Sequence, residues 1–207
     1  MLHYKDLYWY FDKALSNSVC NKIIKAGQKN RPTLARIGSF GDEFKTLNKQ
    51  QKTSLKKIRN SYASFIDEKW LYNLLFPFVQ NANQQSGWKF AFDWAEPIQF
   101  TRYKKNQHYH WHNDSNNSQN LSNLKSHGKI RKLSLVASLS DPKDYEGGDF
   151  KFQFRNSDDP TIEHKVPQLI PRGSVLVFPS YIWHKVEPIT KGTRYSIVMW
   201  ARGWPYV

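Results

Sequence analysis

A single cysteine, Cys20, stands among the 207 residues. Its solitude excludes an intrachain disulfide and any zinc site built from several cysteines, and it fits a reducing compartment. Long apolar runs are missing too: none approaches the ~18–20 residues of a membrane helix. The stretch Met1 to Ser16 carries charges where a signal peptide has an uncharged apolar core. A cytoplasmic chain without a membrane partner is therefore expected. Acidic residues are scarce, with 17 Asp and Glu against 31 Lys and Arg, for a formal net charge of +14. Aromatics, by contrast, make up 15% of the chain, with eight Trp, which excludes an intrinsically disordered protein. The length suits one domain, residues 1–207, able to bury its own core. The basic balance alone points to nucleic acid.

The chain divides near residue 88. Before it, Ser16 or Ser18 caps a short helix over Val19 to Ala26, with Gly27 as its stop. Residues 28–56 are polar and read as a long loop, with or without a short basic helix. Ile58–Ile66 suits a strand. Asp67 caps a helix from Glu68 to about Asn83, where Trp70, Leu71, Leu74, Leu75, Phe78 and Val79 recur at helical spacing and Pro77 invites a kink. From Lys89 the period becomes two. Eight strands are predicted: Lys89–Trp94, Ile98–Lys104, His108–His112, Lys132–Ser140, Asp149–Phe154, Ser174–Phe178, His184–Pro188 and Thr193–Ala201. Short strands between Gly, Pro, Asn and Asp clusters predict an antiparallel barrel or double sheet over 89–203, supported by N-terminal helices over 1–88.

Chemistry concentrates in His108-Tyr109-His110-Trp111-His112-Asn113-Asp114. Strict alternation puts His108, His110, His112 and Asp114 on one strand face. Imidazole and carboxylate converging there suit a divalent first-row metal, and His184, at the start of a later strand, is a candidate third ligand. His127 and His164 sit in polar, loop-like contexts. Two histidines and one carboxylate leave coordination positions open, as in non-haem Fe(II) oxygenases. Arg194 lies ten residues after His184 inside an apolar strand, where a charge is costly unless paired. Its planar fork suits a carboxylate. Parity groups Arg194, Ser196, Val198 and Trp200 on one face.

These residues fall into a familiar order. Gln99-Phe100-Thr101-Arg102-Tyr103 with Tyr109 and His112-x-Asp114 resembles the second core strand of the 2-oxoglutarate/Fe(II) dioxygenases of prolyl 4-hydroxylase type. Leu133-Ser134-Leu135 through Leu139-Ser140-Asp141-Pro142, then Tyr145-Glu146-Gly147-Gly148-Asp149-Phe150, resembles the segment that follows in that family. Pro171-Arg172-Gly173-Ser174, Phe178-Pro179-Ser180, His184-x-Val186-x-Pro188 and Gly192-Thr193-Arg194-Tyr195-Ser196 resemble its closing motifs. The PKHD-type hydroxylases are the branch the chain is most similar to, and Arg59-x-Ser61 suits that branch as well. The resemblance covers roughly residues 57–203.

It implies a mainly β fold, a double-stranded β-helix or jelly roll. It implies Fe(II) held by His112, Asp114 and His184, with 2-oxoglutarate and O2 as cosubstrates and ascorbate as reductant. Arg194 would bind the distal carboxylate of 2-oxoglutarate. Tyr103, Trp200 and Ser138 fall at positions that border the cosubstrate, Ser138 standing where some relatives carry a tyrosine. The implied substrate is a prolyl residue of a peptide or protein. A lysyl residue, a free amino acid or a small metabolite are the alternatives.

Rival classes fit less well. A metallo-hydrolase using His110, His112 and Asp114 would need His where Ser115 stands and leaves Arg194 unexplained. An iron-dependent nucleic-acid demethylase would need a second Arg six residues after Arg194, where Trp200 stands. A nucleic-acid partner is therefore not expected, and the basic tract Arg31–Lys57 reads as a solvated loop or as a patch that steers an acidic substrate. The loop 115–132 is placed to cover the site. The oligomeric state is not legible.

Overall fold

The computed structural model describes residues 7–35, 48–115, 128–154 and 162–205. Its elements in chain order are β1 (Trp9–Phe11), α1 (Asn17–Lys29), β2 (Thr33–Leu34), α2 (Lys49–Ile58), β3 (Arg59–Asn60), β4 (Tyr62–Ile66), α3 (Lys69–Gln85), β5 (Trp94–Ala95), β6 (Ile98–Lys104) and β7 (His108–His112). There follow β8 (Ile130–Ser138), β9 (Tyr145–Gly147), β10 (Phe150–Gln153), β11 (Glu163–Lys165), β12 (Val175–Pro179), β13 (Trp183–Val186) and β14 (Ile189–Gly203). The chain is mainly β, as its alternation predicts. A larger sheet runs β1-β12-β8-β14-β6-β4-β2, with β5 and β9 also paired to β14. A five-stranded sheet runs β11-β10-β13-β7-β3. Every strand pair is antiparallel.

The larger sheet is covered by helices on one face and lines a cavity with the other. Leu133, Leu135 and Ala137 of β8 and Ile197, Met199 and Ala201 of β14 pack with Cys20 and Ile23 of α1 and with Leu71, Leu75 and Val79 of α3. All are fully buried or nearly so. Each large aliphatic side chain withdrawn from water there contributes roughly 1.5–3 kcal/mol. The intervening residues point the other way. Val136 joins Tyr103, Phe150, Phe152, Phe178 and Ile189 in a second apolar cluster between the sheets.

Several local expectations change. Gly27 does not end α1, which continues to Lys29 and is capped by Asn30. A Cβ at Gly27 would fall inside the ring of Phe100 on β6, so this glycine permits close packing of helix on sheet. Ser16 is the N-cap, as predicted. The interval 28–56 holds β2 and most of α2, the latter opened by a capping box between Asn48 and Gln51. The predicted strand Ile58–Ile66 divides into β3 and β4, which belong to different sheets. Of the first predicted core strand, Lys89–Trp94, only Trp94 pairs, together with Ala95 beyond it. Short β1, β9 and β11 have no counterpart among the eight expected strands, because three residues carry too little periodicity to register. Pro77 lies inside α3, whose cap residue is Glu68. Residues 116–127 of the loop expected over 115–132, and with them His127, lie outside the described residues, as do Arg36 and Lys45. Among the described residues, no helix is long and apolar enough to cross a membrane.

Candidate metal centre

β7 and β13 pair side by side, and their register sets His112 opposite His184. Between that pair and the next, Val186 opposite Tyr109, β13 advances two residues while β7 advances three. The extra residue is a β-bulge, which re-aims the side chains around it. Strict alternation of His108, His110 and His112 is thereby broken. His110 is exposed, and the Nε2 of His108 meets the Lys57 carbonyl 3.1 Å away. Neither joins a ligand cluster, so the set His110, His112 and Asp114 expected of a metallo-hydrolase does not assemble.

His112, Asp114 and His184 do assemble, with candidate ligand atoms all within 4.8 Å of one another. The Nδ1 of His112 donates to the His110 carbonyl at 2.8 Å, and the Nδ1 of His184 donates to the Ile182 carbonyl at 2.9 Å. A carbonyl only accepts, so each Nδ1 carries a proton, and each Nε2 is the nitrogen turned to a metal. His184 Nε2 lies 3.6 Å from Asp114 Oδ2. Burial, reinforced by neighbouring His184, holds the His112 pKa well below its usual value, which keeps the ring neutral. Burial opposes ionisation of Asp114, yet His184, His112 and Arg131 hold its pKa at about 2. One ring nitrogen from each histidine and the carboxylate of Asp114 form the donor set that suits a divalent first-row cation.

Asp114 is seated by groups to which the motif reading assigned no role. Its backbone N–H donates to the Ser180 carbonyl at 2.8 Å, and its Oδ2 accepts from Ser134 Oγ at 2.7 Å. The Ser180 hydroxyl lies 2.9 Å from that of Ser134. The available signal was a serine at an inward position of the apolar run Leu133-Ser134-Leu135. A second group lies behind. Half-buried Glu96 takes Arg131 on both carboxylate oxygens and Arg202 on one. Burial raises the Glu96 pKa, but the two guanidiniums pull it below the usual range. Arg131 in turn stacks on Trp200, 3.8 Å from the ring centroid.

The cluster opens into a cavity of about 630 Å³, within the range typical of small-molecule sites. Arg194, Ser196, Val198 and Trp200 all line it, the parity predicted for β14. Arg194 is 2% exposed and pairs in register with Tyr103 of β6, its guanidinium 5.9 Å from that ring. Tyr103 is buried and also lines the cavity. Burial raises its pKa, against the opposing pull of Arg59, Arg194 and Ser61. Ser138 lies opposite Ser196 in the sheet but is not part of the lining. The Trp200 indole N–H is directed at the Asp114 carboxylate and helps to lower its pKa, whereas the Ser138 hydroxyl is buried without a hydrogen-bond partner. Such a group is rare unless a ligand or water satisfies it. Behind Arg194, Gly148 has φ +69°, and a Cβ there would strike Ile189 and crowd the Arg194 stem. His164 lies elsewhere, its Nε2 3.1 Å from the Tyr8 hydroxyl.

Residues 98–202 match the model of the 2OG-Fe(II) oxygenase superfamily, just over half of the chain. A PKHD-type hydroxylase of Janthinobacterium sp. (strain Marseille) is 36% identical over 108 residues, covering 51% of this chain and 43% of that protein. A PKHD-type hydroxylase of Escherichia coli is 32% identical over 136 residues, covering 64% and 56%. Across such curated relatives the match spans 28% to 56% of their own length. A prolyl-4-hydroxylase of Pseudomonas putida shares the fold at a TM-score of 0.66 and 18% identity, over 96% of this chain and 93% of that one. The viral collagen prolyl hydroxylase of Paramecium Bursaria Chlorella virus-1 does so at 0.65 and 19%, over 95% and 96%. The architecture is thus the jelly roll of prolyl hydroxylases, and the chain belongs to the 2OG-Fe(II) oxygenase superfamily.

Proposed function

We propose that the chain is a single oxygenase domain that uses Fe(II), 2-oxoglutarate and O2 to hydroxylate a prolyl residue of a peptide or protein. The observation that carries this reading is the convergence of His112, Asp114 and His184 with buried Arg194 in one cavity. His112, Asp114 and His184 would hold Fe(II). The bound metal would supply O2 activation, coupled to oxidative decarboxylation of 2-oxoglutarate to succinate and CO2, with one oxygen atom entering a C–H bond. Arg194 would receive the distal carboxylate of 2-oxoglutarate on its planar fork, beside Tyr103. Trp200, Tyr109, Val136 and Phe150 supply apolar wall to the same cavity. A compact ring fits such a wall, and the wall keeps water from the reacting carbon. Ascorbate would serve as the reductant that maintains divalent iron.

The test is anaerobic titration of the purified chain with Fe(II) and 2-oxoglutarate, followed by exposure to air with peptide and proteome fractions. A charge-transfer absorption band, succinate, and a peptide mass gain of one oxygen atom on proline are expected. Absence of binding to both iron and 2-oxoglutarate would end the oxygenase reading. Oxygen found on lysine or on a free metabolite would keep the oxygenase and replace the substrate. His112→Ala and Asp114→Ala should each abolish succinate formation.

A further inference from the structure

Charge is distributed unevenly around the cavity. Residues 17–60 contain eleven Lys or Arg and two acidic residues, so this stretch carries +9 of the net +14. The described parts of it reach the cavity at two places. Asn30, Arg31, Thr33 and Leu34 line the opening from one side. From the other, α2 leads into β3, where Arg59 also lines the cavity. The Lys57 carbonyl ties the end of α2 to His108 on the metal-bearing strand β7. Helices α1 and α2 contain no acidic residue. Lys25, Lys29, Arg31, Lys56 and Lys57 are exposed, and Lys52 is partly so.

Elsewhere five of the described lysines have carboxylates beside them. Lys151 meets Glu163 and Glu187, Lys165 meets Asp149, Lys185 meets Glu163 and Glu187, Lys129 meets Asp93, and Lys191 meets Glu146. None of these six cations has such a partner among the described residues; Arg31 lines the cavity, and Lys56 and Lys57 come just before β3, whose Arg59 lines it too. A one-signed field around a low-dielectric opening concentrates ligands of the opposite sign. The backbone there has a second relevant property. Among the described residues, β2 is one of the two outermost strands of the larger sheet and β3 one of the two of the smaller sheet. Both reach the mouth, and an outermost strand can receive an extended polypeptide by backbone pairing.

We propose that the mouth is a docking surface for an acidic polypeptide segment, with Asp or Glu flanking the residue that enters the cavity. This names the substrate class and rests on the oxygenase reading for what happens to that residue. Duplex or single-stranded nucleic acid would satisfy the charge but not use the two strand edges.

Fluorescence anisotropy of the full chain, measured without iron or 2-oxoglutarate, tests the surface apart from the chemistry. The probes are a labelled peptide of alternating Glu and Pro, its Gln-for-Glu and Lys-for-Glu counterparts, and a single-stranded oligodeoxynucleotide. The Glu peptide should bind most tightly and weaken steeply with added salt. The triple variant Lys52→Glu, Lys56→Glu, Lys57→Glu should weaken it about tenfold, as three exposed pairs of modest individual strength would, and leave the Fe(II)/2-oxoglutarate band intact. Equal affinity for the Gln peptide, tighter binding of the oligonucleotide, or indifference to the triple variant would each overturn the proposal. Loss of the charge-transfer band in the unmodified chain would instead strike the oxygenase reading and leave the binding result standing.

Discussion

Tyr109 and His112 stack ring on ring, their centroids 3.4 Å apart and their planes 12° from parallel. They belong to one strand and are three positions apart, which regular pleating would put on opposite faces. The bulge in β7 brings them together. On the far side of Tyr109, the Arg59 guanidinium lies 4.4 Å from the ring centroid. The His112 ring is thus held by its Nδ1 hydrogen bond at one edge and by a flat aromatic surface on one face. The His184 ring lies 4.1 Å away, centroid to centroid.

Replacing Tyr109 by Leu removes that surface. Fe(II) or Co(II) affinity should fall about tenfold, the lower end of the range for groups that orient a metal ligand. Tyr109→Phe keeps the ring and should bind metal like the parent. Equal weakening in both variants, measured by metal titration, would move the effect from the ring to the hydroxyl.

Arg194→Ala should raise the 2-oxoglutarate concentration for half-maximal succinate formation by about 30-fold or more. That corresponds to roughly 2 kcal/mol, the low end for truncating one member of a buried charge pair. Iron binding without 2-oxoglutarate should change little. An unaltered 2-oxoglutarate requirement would place the carboxylate on another cavity residue.

The metal-free chain should lose stability as pH falls below about 6.5, the ordinary histidine value. The sign follows from the depressed pKa of His112. Unfolding frees the ring to take up a proton that the folded site resists, so stability falls by up to about 1.4 kcal/mol per pH unit for one such group. Asp114 adds to the loss only below about 3.8, where unfolded carboxylates begin to protonate while the folded one, at about 2, does not. Urea unfolding at pH 7.5 and at pH 5.5 measures the first part. His112→Gln should flatten it.

Helix propensity alone makes Gly27→Ala stabilising by about 1 kcal/mol. The packing reverses that sign. The added methyl would occupy the Phe100 ring, and such overpacking costs roughly 1–3 kcal/mol. Thermal unfolding of the variant should therefore begin at a lower temperature than in the parent.

Much of the site was legible because its parts are local. His112-x-Asp114 is a two-residue spacing, and Arg194 to Trp200 obeys a parity that β14 keeps. The parts that escaped depend on distant segments. Ser134 and Ser180 meet over Asp114 although 46 positions separate them. Glu96 gathers Arg131 from β8 and Arg202 from β14. Neither grouping leaves a spacing signature in the chain.

Alternation and apolar content by themselves determined a mainly β fold with helices on one sheet face, since pleat and core burial act residue by residue. Ordered motifs determined which histidines and which arginine to consider. The resemblance singled out His112 among the three clustered histidines of β7, but only tertiary structure supplies the reason that it turns inward and His110 does not. That choice depends on one extra residue in the pairing with β13, and register is a property of two strands together. In the same way, Gly27 reads as a helix stop until Phe100 is seen to fill the space beside it.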